Sequence, residues 1–543
     1  MRVLNGQAFS YLTAVFATVF AHLAFMGKAF AEKIEDLEEL ATEAATQTSS
    51  ELQTPAELSG FQEWANDTFG AIVGFYGPFL MWELPVIQMP LIVFTMLSGG
   101  IFFTFRYGFV NLRLFKHALL VVTGKYDNLE DEGEVSHFQA LTSALSATVG
   151  LGNIAGVAIA ISMGGAGAVF WMWITAFFGM SLKFSSCTLA VMYRRKDPQG
   201  KTLGGPMVYL HDAFKEMGYS KTGRFLGVLF AFLTIVASFG GGNMFQANQT
   251  YAIISAQFPN IDPLAVGVTL AFFAGIVLIG GIKRIGEVTS KLIPAMCGFY
   301  VLSCLAIIFS NFGQIPAMFA DIITSAFSPD AVFGGFIGVL IIGITRASFS
   351  SEAGLGSAAI AHSAAKTKEP VREGVVAMIE PFIDTHLVCT MTALAILITG
   401  AHLDPSVQGE GVQITAHAFS TLGWFMPYLL MMAIVVFAYS TVISWSYYGE
   451  RATQYLFGDL VGPNAIRLYR LTYVFVIILG PVLTIGNVID FADLMLLSMA
   501  FPNIIGMIFL SKMVKDRTRI YLDSIKEGYV PVTVEEVIEE KKG

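Results

Sequence analysis

Ser146, Thr148, Gly150, Gly152 and Asn153 crowd into a few positions of an otherwise apolar, uncharged run. Glycine lets a helix unwind, and hydroxyl and amide side chains bond to groups beside the gap. At membrane depth no water satisfies backbone groups freed by such a break, so they must face protein, a cavity or a bound ligand. Freed amides and half-helix N-termini attract a carboxylate, while freed carbonyls and hydroxyls coordinate a small cation. Asn153 and Thr148 would add side-chain hydrogen bonds. The pattern returns 204 positions later as Ser350-Ser-Glu-Ala-Gly-Leu-Gly-Ser-Ala-Ala359, aligning Gly150-Leu-Gly-Asn153 with Gly354-Leu-Gly-Ser357. One such glycine pair is more often close helix packing. Two pairs, one in each half of a chain, point to a binding site between broken helices.

Three other groups carry polar chemistry in apolar surroundings. Asn243 and Gln246 lie three apart on one helical face. They offer donors and acceptors either to a zwitterion or to a neighbouring helix. Ser440, Thr441 and Ser444 share a face of a later span. Their oxygens suit a hard cation, or bond back to their own helix. Trp445, one turn from Thr441, either walls a small pocket or simply packs. Arg346 and Glu352 crowd with serines just before the second glycine pair; ionisable groups inside a membrane are costly and usually functional. They either pair as an inner gate in the cytoplasmic half or lie at the interface. Glu380, Asp384 and His386 begin the following span and read as caps near the cytoplasmic side. There is no HExxH, Walker A or GxSxG pattern, which argues against metalloprotease, ATP-driven and serine-hydrolase chemistry.

The elements that must hold these residues are membrane helices. Of 543 residues, 55% are hydrophobic and 13% charged, against about 25% charged in a soluble domain. Runs of roughly 20 apolar residues recur along the chain. Eleven spans are expected: 86–105, then 139–163, 166–192, 225–255, 264–282, 292–310, 334–362, 376–400, 426–448, 469–488 and 492–512. Cys187, Cys297, Cys304 and Cys389 all fall in apolar segments and read as buried thiols. The net charge of −9 gathers in an acidic stretch from Glu32 to Glu63 and in the tail, and no basic patch suggests nucleic acid.

Lys and Arg mark alternate loops without exception, which predicts an exported N-terminus and a cytoplasmic C-terminus. On that map the two glycine breaks run oppositely through the membrane. The expected fold is therefore an all-α polytopic membrane protein with a LeuT-type five-plus-five inverted repeat and one extra N-terminal transmembrane helix. The domains follow. Residues 1–31 form a signal peptide ending in Ala29-Phe-Ala31, or an uncleaved anchor. Residues 32–80 are an exported acidic extension whose stretch from Phe69 to Trp82 is interfacial. Residues 81–138 hold the extra helix and a cytoplasmic loop, 139–310 the first repeat, 311–515 the second, and 516–543 a cytoplasmic tail.

With these residues the chain resembles the alanine or glycine:cation symporter family. The matching stretches are Ser146-Ala-Thr-Val-Gly-Leu-Gly-Asn-Ile-Ala-Gly-Val-Ala158, Arg346-Ala-Ser-Phe-Ser-Ser-Glu-Ala-Gly-Leu-Gly-Ser-Ala-Ala-Ile-Ala-His362, and the surroundings of Gln246 and Trp445. The resemblance covers roughly residues 80–515. It implies a bacterial-type secondary transporter in the inner membrane, importing alanine, glycine or a similar small neutral amino acid with sodium or protons. No organic cofactor, nucleic acid or obligatory protein partner is implied. Carried over, Gly150, Gly152 and Asn153 bind the carboxylate region and Gln246 the polar head. Phe245, Thr441 and Trp445 limit side-chain volume. Thr441 and Ser444, with carbonyls near Thr148 to Gly152, hold sodium, and Gly150 is counted with them. Arg346 and Glu352 serve as gating residues. Leu151 stands where many members have Thr, so no hydroxyl is offered there.

Two other classes compete with a symporter. A membrane enzyme would need Glu352, Glu380 and Asp384 to converge with a nucleophile or metal ligands. A passive channel would move substrate without a gradient.

Overall fold

The computed structural model describes residues 60–526, apart from 86–87, 128–130, 198–199, 329–334, 406, 408–410 and 484. The expected signal peptide, most of the acidic extension and the tail beyond 526 lie outside the described residues. The described residues from Trp64 onward belong to one compact unit.

Helix α1 (Gly60–Leu80) occupies the stretch expected to be interfacial, and α2 (Leu91–Arg106) follows it. A capping box then starts α3 (His137–Thr148): Gln139 N–H donates to Ser136 Oγ at 3.2 Å, and Ser136 N–H donates to Gln139 Oε1 at 3.1 Å. That reciprocal pair satisfies two amides which a helix start would otherwise orphan. After the glycine break the chain resumes as α4 (Ala155–Gly164), bent by 57° from α3. Next come α5 (Gly167–Met192), α6 (Ser220–Phe239), α7 (Phe245–Gln257), α8 (Pro263–Leu278) and α9 (Gly281–Ser310).

The second half repeats this order. Helix α10 (Gly335–Ser351) breaks and resumes as α11 (Ala358–His362). Then follow α12 (Pro370–Ala377), α13 (Thr390–Thr399), α14 (Met426–Val461), α15 (Pro463–Leu479), α16 (Ile485–Ser498) and α17 (Ala500–Lys526). Helices in matching places of the two halves pack together: α5 on α12, α6 on α14, α8 on α15. The last members pack on their own broken helices, α9 on α3 and α16 on α10. This is the five-plus-five organisation expected from the sequence.

Among the described residues, seven helices are long and apolar enough to cross a membrane, or eight with the bent pair counted as one span. The other three expected spans are the shorter apolar helices α2, α8 and α10. Phe272, Leu302, Leu471 and Phe475 stand exposed on α8, α9 and α15. Such a density of exposed apolar side chains suits lipid, not water. All four cysteines are free thiols, and three are buried.

Two features were not expected. A π-helical turn, Gly240–Met244, separates α6 from α7, and a second, Phe382–Cys389, separates α12 from α13. An extra residue in a helical turn re-aims side chains, and such turns often sit at functional sites.

Candidate functional site

The first break is organised by Asn153. Its side-chain carbonyl accepts from Gly150 N–H at 3.0 Å, closing a short 3-10 turn at Leu151–Asn153. Its amide donates to Asp384 Oδ1 at 2.5 Å and to Ser350 Oγ at 3.3 Å. Asn153 thus ties the first break to the second and to the π-helical turn after α12. Ser350 Oγ and Thr385 Oγ1 also donate to Asp384, at 2.5 and 2.8 Å. Asp384 is fully buried, and no cationic side chain pairs with it among the described residues. A buried carboxylate with only neutral donors is an incomplete charge balance. The surrounding oxygens of Ser350 and Thr385 suit a monovalent cation.

Three helices converge on Gly150. A Cβ there would strike the Thr441 hydroxyl of α14 and lie 3.5 Å from Gln246 Oε1 of α7. Only glycine permits that approach. Thr441 Oγ1 donates to the Ser146 carbonyl at 3.0 Å, and Ser146 Oγ donates to the Ser440 carbonyl at 2.7 Å. The end of α3 is therefore laced to α14. Gln246 spends its amide on the Gly241 carbonyl at 3.0 Å, while its buried Oε1 accepts nothing among the described residues. Ser444 Oγ is likewise buried and unpartnered. Such atoms are costly unless a water, ion or ligand completes them.

An aromatic wall stands beside these groups. Phe245 packs edge-to-face on Phe349 with ring centroids 5.0 Å apart, and a Cβ on Gly152 would come within 3.2 Å of Phe349. Trp445 lies against Gly242 of the π-helical turn. Its Nε1 donates to Glu352 Oε1 at 2.9 Å, and the Ser357 hydroxyl donates to Glu352 Oε2.

The second break is built on left-handed backbone. Glu352 has φ of 52°, Gly354 of 90° and Gly356 of 88°. Glycine takes such angles freely; a glutamate held there costs of order 1–3 kcal/mol and marks a position fixed by its surroundings. The turn also swings the Glu352 carboxylate away from Arg346. The expected Arg346–Glu352 pair is accordingly not formed. Arg346 instead pairs with Asp493 of α16 and lies over the Phe349 ring at 5.6 Å. It sits before the break, on the side of α10 away from the basic loops. Asp493 is buried with it.

The sequence-expected residues thus divide cleanly. Gly150, Gln246 and Thr441 meet directly, and Gly152, Phe245 and Trp445 line the same region. Thr148 bonds back to carbonyls of its own helix at 3.3 Å, and Asn243 donates to the Tyr473 carbonyl of α15 at 2.8 Å. Ser444 is buried on α14 with its hydroxyl unused. Glu380 and Asp384, read as caps, are both fully buried. Their one sequence signal was charge inside an apolar span. The Glu352, Glu380 and Asp384 carboxylates each have different partners, and no group of three or more His, Cys, Asp or Glu suited to a metal occurs among the described residues. A cavity of about 340 Å³ opens elsewhere, at the basic-loop end, lined by Glu134, Lys201, Lys283, Glu450 and Arg451 among others.

The chain is similar to known proteins over most of its length. The sodium:alanine symporter family profile matches residues 79–535. A sodium/alanine symporter of Methanococcus maripaludis is 43% identical over 434 residues, spanning 80% of this chain and 94% of that one. An uncharacterized transporter of Haemophilus influenzae is 39% identical, over 80% of this chain and 94% of its own length. A probable sodium/glutamine symporter of Bacillus subtilis is 34% identical, over 83% and 92%.

Proposed function

We propose that this chain, which belongs to the sodium:alanine symporter family, imports a small neutral amino acid, alanine or glycine, together with sodium. As a member of a transporter family it is not an enzyme, and it is a multi-pass membrane protein. The observation that carries the substrate reading is the meeting of Gly150, Gln246 and Thr441 from three helices around an unpartnered amide oxygen. The start of α4 presents its positive dipole end to a substrate carboxylate. Gln246 Oε1 accepts from the ammonium. Phe245, Thr441 and Trp445 leave room for a hydrogen or methyl side chain, which favours alanine over the glutamine in the name of the more distant relative.

Sodium takes two kinds of place in this reading. Thr441 and Ser444, with carbonyls at the end of α3 near Gly150, supply neutral oxygens between α3 and α14. Asp384, with Ser350 and Thr385, supplies a charged one where both breaks meet. Cation binding draws the broken helices onto α14 and preorganises the amino-acid site, so both ligands favour the occluded state by differential affinity. Arg346, before the second break, and Glu352, at its start, act as gates, Arg346 through Asp493 and Glu352 through Trp445.

In topology, α2 is the extra leading span of a segment 81–138, residues 139–310 and 311–515 are the inverted repeats, and 516–543 a cytoplasmic tail. The N-terminus is exported and the basic loops face the cytoplasm of an inner membrane. The test is uptake of labelled alanine and glycine into proteoliposomes with sodium and proton gradients imposed separately. Accumulation driven by a proton gradient alone transfers the coupling role from sodium to protons. Equilibration without any gradient would end the symport reading.

A further inference from the structure

Five buried ionisable side chains form a continuous chain apart from the proposed substrate site. Lys183 of α5 bonds to one oxygen of Glu380, which lies just before the second π-helical turn. The other Glu380 oxygen faces His362 Nε2 at the end of α11. His362 Nδ1 faces Glu373 Oε1 of α12 at 2.5 Å. The second Glu373 oxygen meets His137 Nδ1 at the start of α3. None of the five side chains is more than 1% exposed. His137 Nε2 then looks towards Asp127 Oδ1 at 3.9 Å, and Asp127 is 31% exposed.

The proton inventory of this chain is constrained by its geometry. A neutral imidazole carries one N–H and one lone pair, and an ionised carboxylate only accepts. His362 has a carboxylate oxygen against each nitrogen. One of its two contacts is therefore repulsive unless an extra proton sits on the imidazole or on a facing carboxylate. The surrounding elements add other ionisable groups: Glu352, which acts on Lys183 and Glu380, Cys187 beside Lys183 on α5, Arg372 beside Glu373, and Tyr448 on α14. Arg194 spends its guanidinium on backbone carbonyls of Ser363 and Ala365.

We propose that His362, clamped between Glu373 and Glu380, is a buried proton-binding site reached through His137 and Asp127, and that its proton holds α3, α5, α11 and α12 together at the basic-loop end. Loading takes one proton from water at Asp127 and forms one N–H bond on the imidazole or one O–H bond on a facing carboxylate. Unloading returns the proton to water and leaves a lone pair facing a carboxylate, which loosens the four-helix junction. The ligand is the proton, whether or not sodium drives uptake.

Two experiments test this. In wild-type protein labelled with 15N-histidine, with the His362 resonance identified by its absence in His362→Gln, His362 should be proton-bearing at both nitrogens, or at one with a protonated carboxylate partner, at neutral pH. Alkaline titration should remove one proton. A neutral imidazole between two ionised carboxylates at neutral pH overturns the proposal. In vesicles with the pH of each face set separately, the initial uptake rate should fall with rising pH on the basic-loop face, by about tenfold per pH unit past the midpoint for a single proton. Asp127→Asn, at the half-exposed end, should slow that response. A pH response confined to the other face, or one unchanged in His362→Gln, also overturns it. The spectroscopic arm uses the native chain, so a poorly folding variant does not shield the idea.

Discussion

Trp445 donates its indole N–H to Glu352 at 2.9 Å, joining α14 to the left-handed residue that ends α10. The contact links a proposed substrate-lining ring to the strained turn of the second broken helix. Movement of either helix must break or carry this bond.

Trp445→Phe keeps most of the ring but removes the donor. Glu352 is then left with Ser357 as its hydrogen-bond partner. Loss of a hydrogen bond to a charged group costs about 1.5–3 kcal/mol. Alanine uptake should fall by roughly ten- to a hundredfold, with the transporter still present in the membrane. Wild-type kinetics in this variant, measured by initial rates over a range of alanine, would remove Glu352–Trp445 from the mechanism.

Asp384→Asn keeps the size and most hydrogen bonds of the side chain but deletes its charge. If Asp384 provides the anionic part of a cation site, half-maximal activation should need about tenfold more sodium or higher, equivalent to about 1.4 kcal/mol. Alanine affinity at saturating sodium should change much less. Uptake titrated against sodium separates the two, and an unmoved sodium curve speaks against cation binding at Asp384.

Arg346 and Asp493 are expected to behave as a unit. Removing one partner strands a buried charge and costs about 3–5 kcal/mol, whereas replacing both with apolar side chains is often close to neutral for stability. Arg346→Met and Asp493→Leu should each lower the thermal midpoint of the purified protein, and the double variant should recover most of the loss. If the double variant melts at the sum of the two losses, the pair is not the relevant interaction.

The sequence carried the architecture well because the signals were physical and independent. Apolar runs located the helices, and two copies of Gly-Leu-Gly marked the breaks. That Gln246 and Thr441 would join Gly150 was implied by the family resemblance alone. What stayed hidden depended on local geometry. Glu352 escapes Arg346 because its backbone turns left-handed, which no spacing rule anticipates for a glutamate. Asn153 was expected to face substrate, yet its side chain closes the break from Gly150 to Asp384. Glu380 and Asp384 read as caps in the sequence because they start a span. Only the packing of α12 against α5 reveals Lys183 beside Glu380. The π-helical turns leave no distinct mark beyond the three glycines at Gly240–Gly242.

Glycine at position 150 is the most exacting requirement of the proposed site. Alanine is favoured over glycine in ordinary helix, by up to about 1 kcal/mol, so loss of function on Gly150→Ala cannot come from helix propensity. The added methyl must instead displace the Thr441 hydroxyl and press towards Gln246 Oε1. Thr441 would lose its bond to the Ser146 carbonyl, and the lacing between α3 and α14 would open. Gly156 provides the control, since a Cβ there meets no atom within 4 Å and the residue lies inside α4. Gly150→Ala should abolish sodium-driven alanine uptake, while Gly156→Ala, matched for expression, retains it. Thr441→Ser combined with Gly150→Ala should restore part of the rate, because it removes the neighbouring methyl and frees the hydroxyl to move aside. Equal uptake by the two single alanine variants would show that the close approach at Gly150 is packing alone.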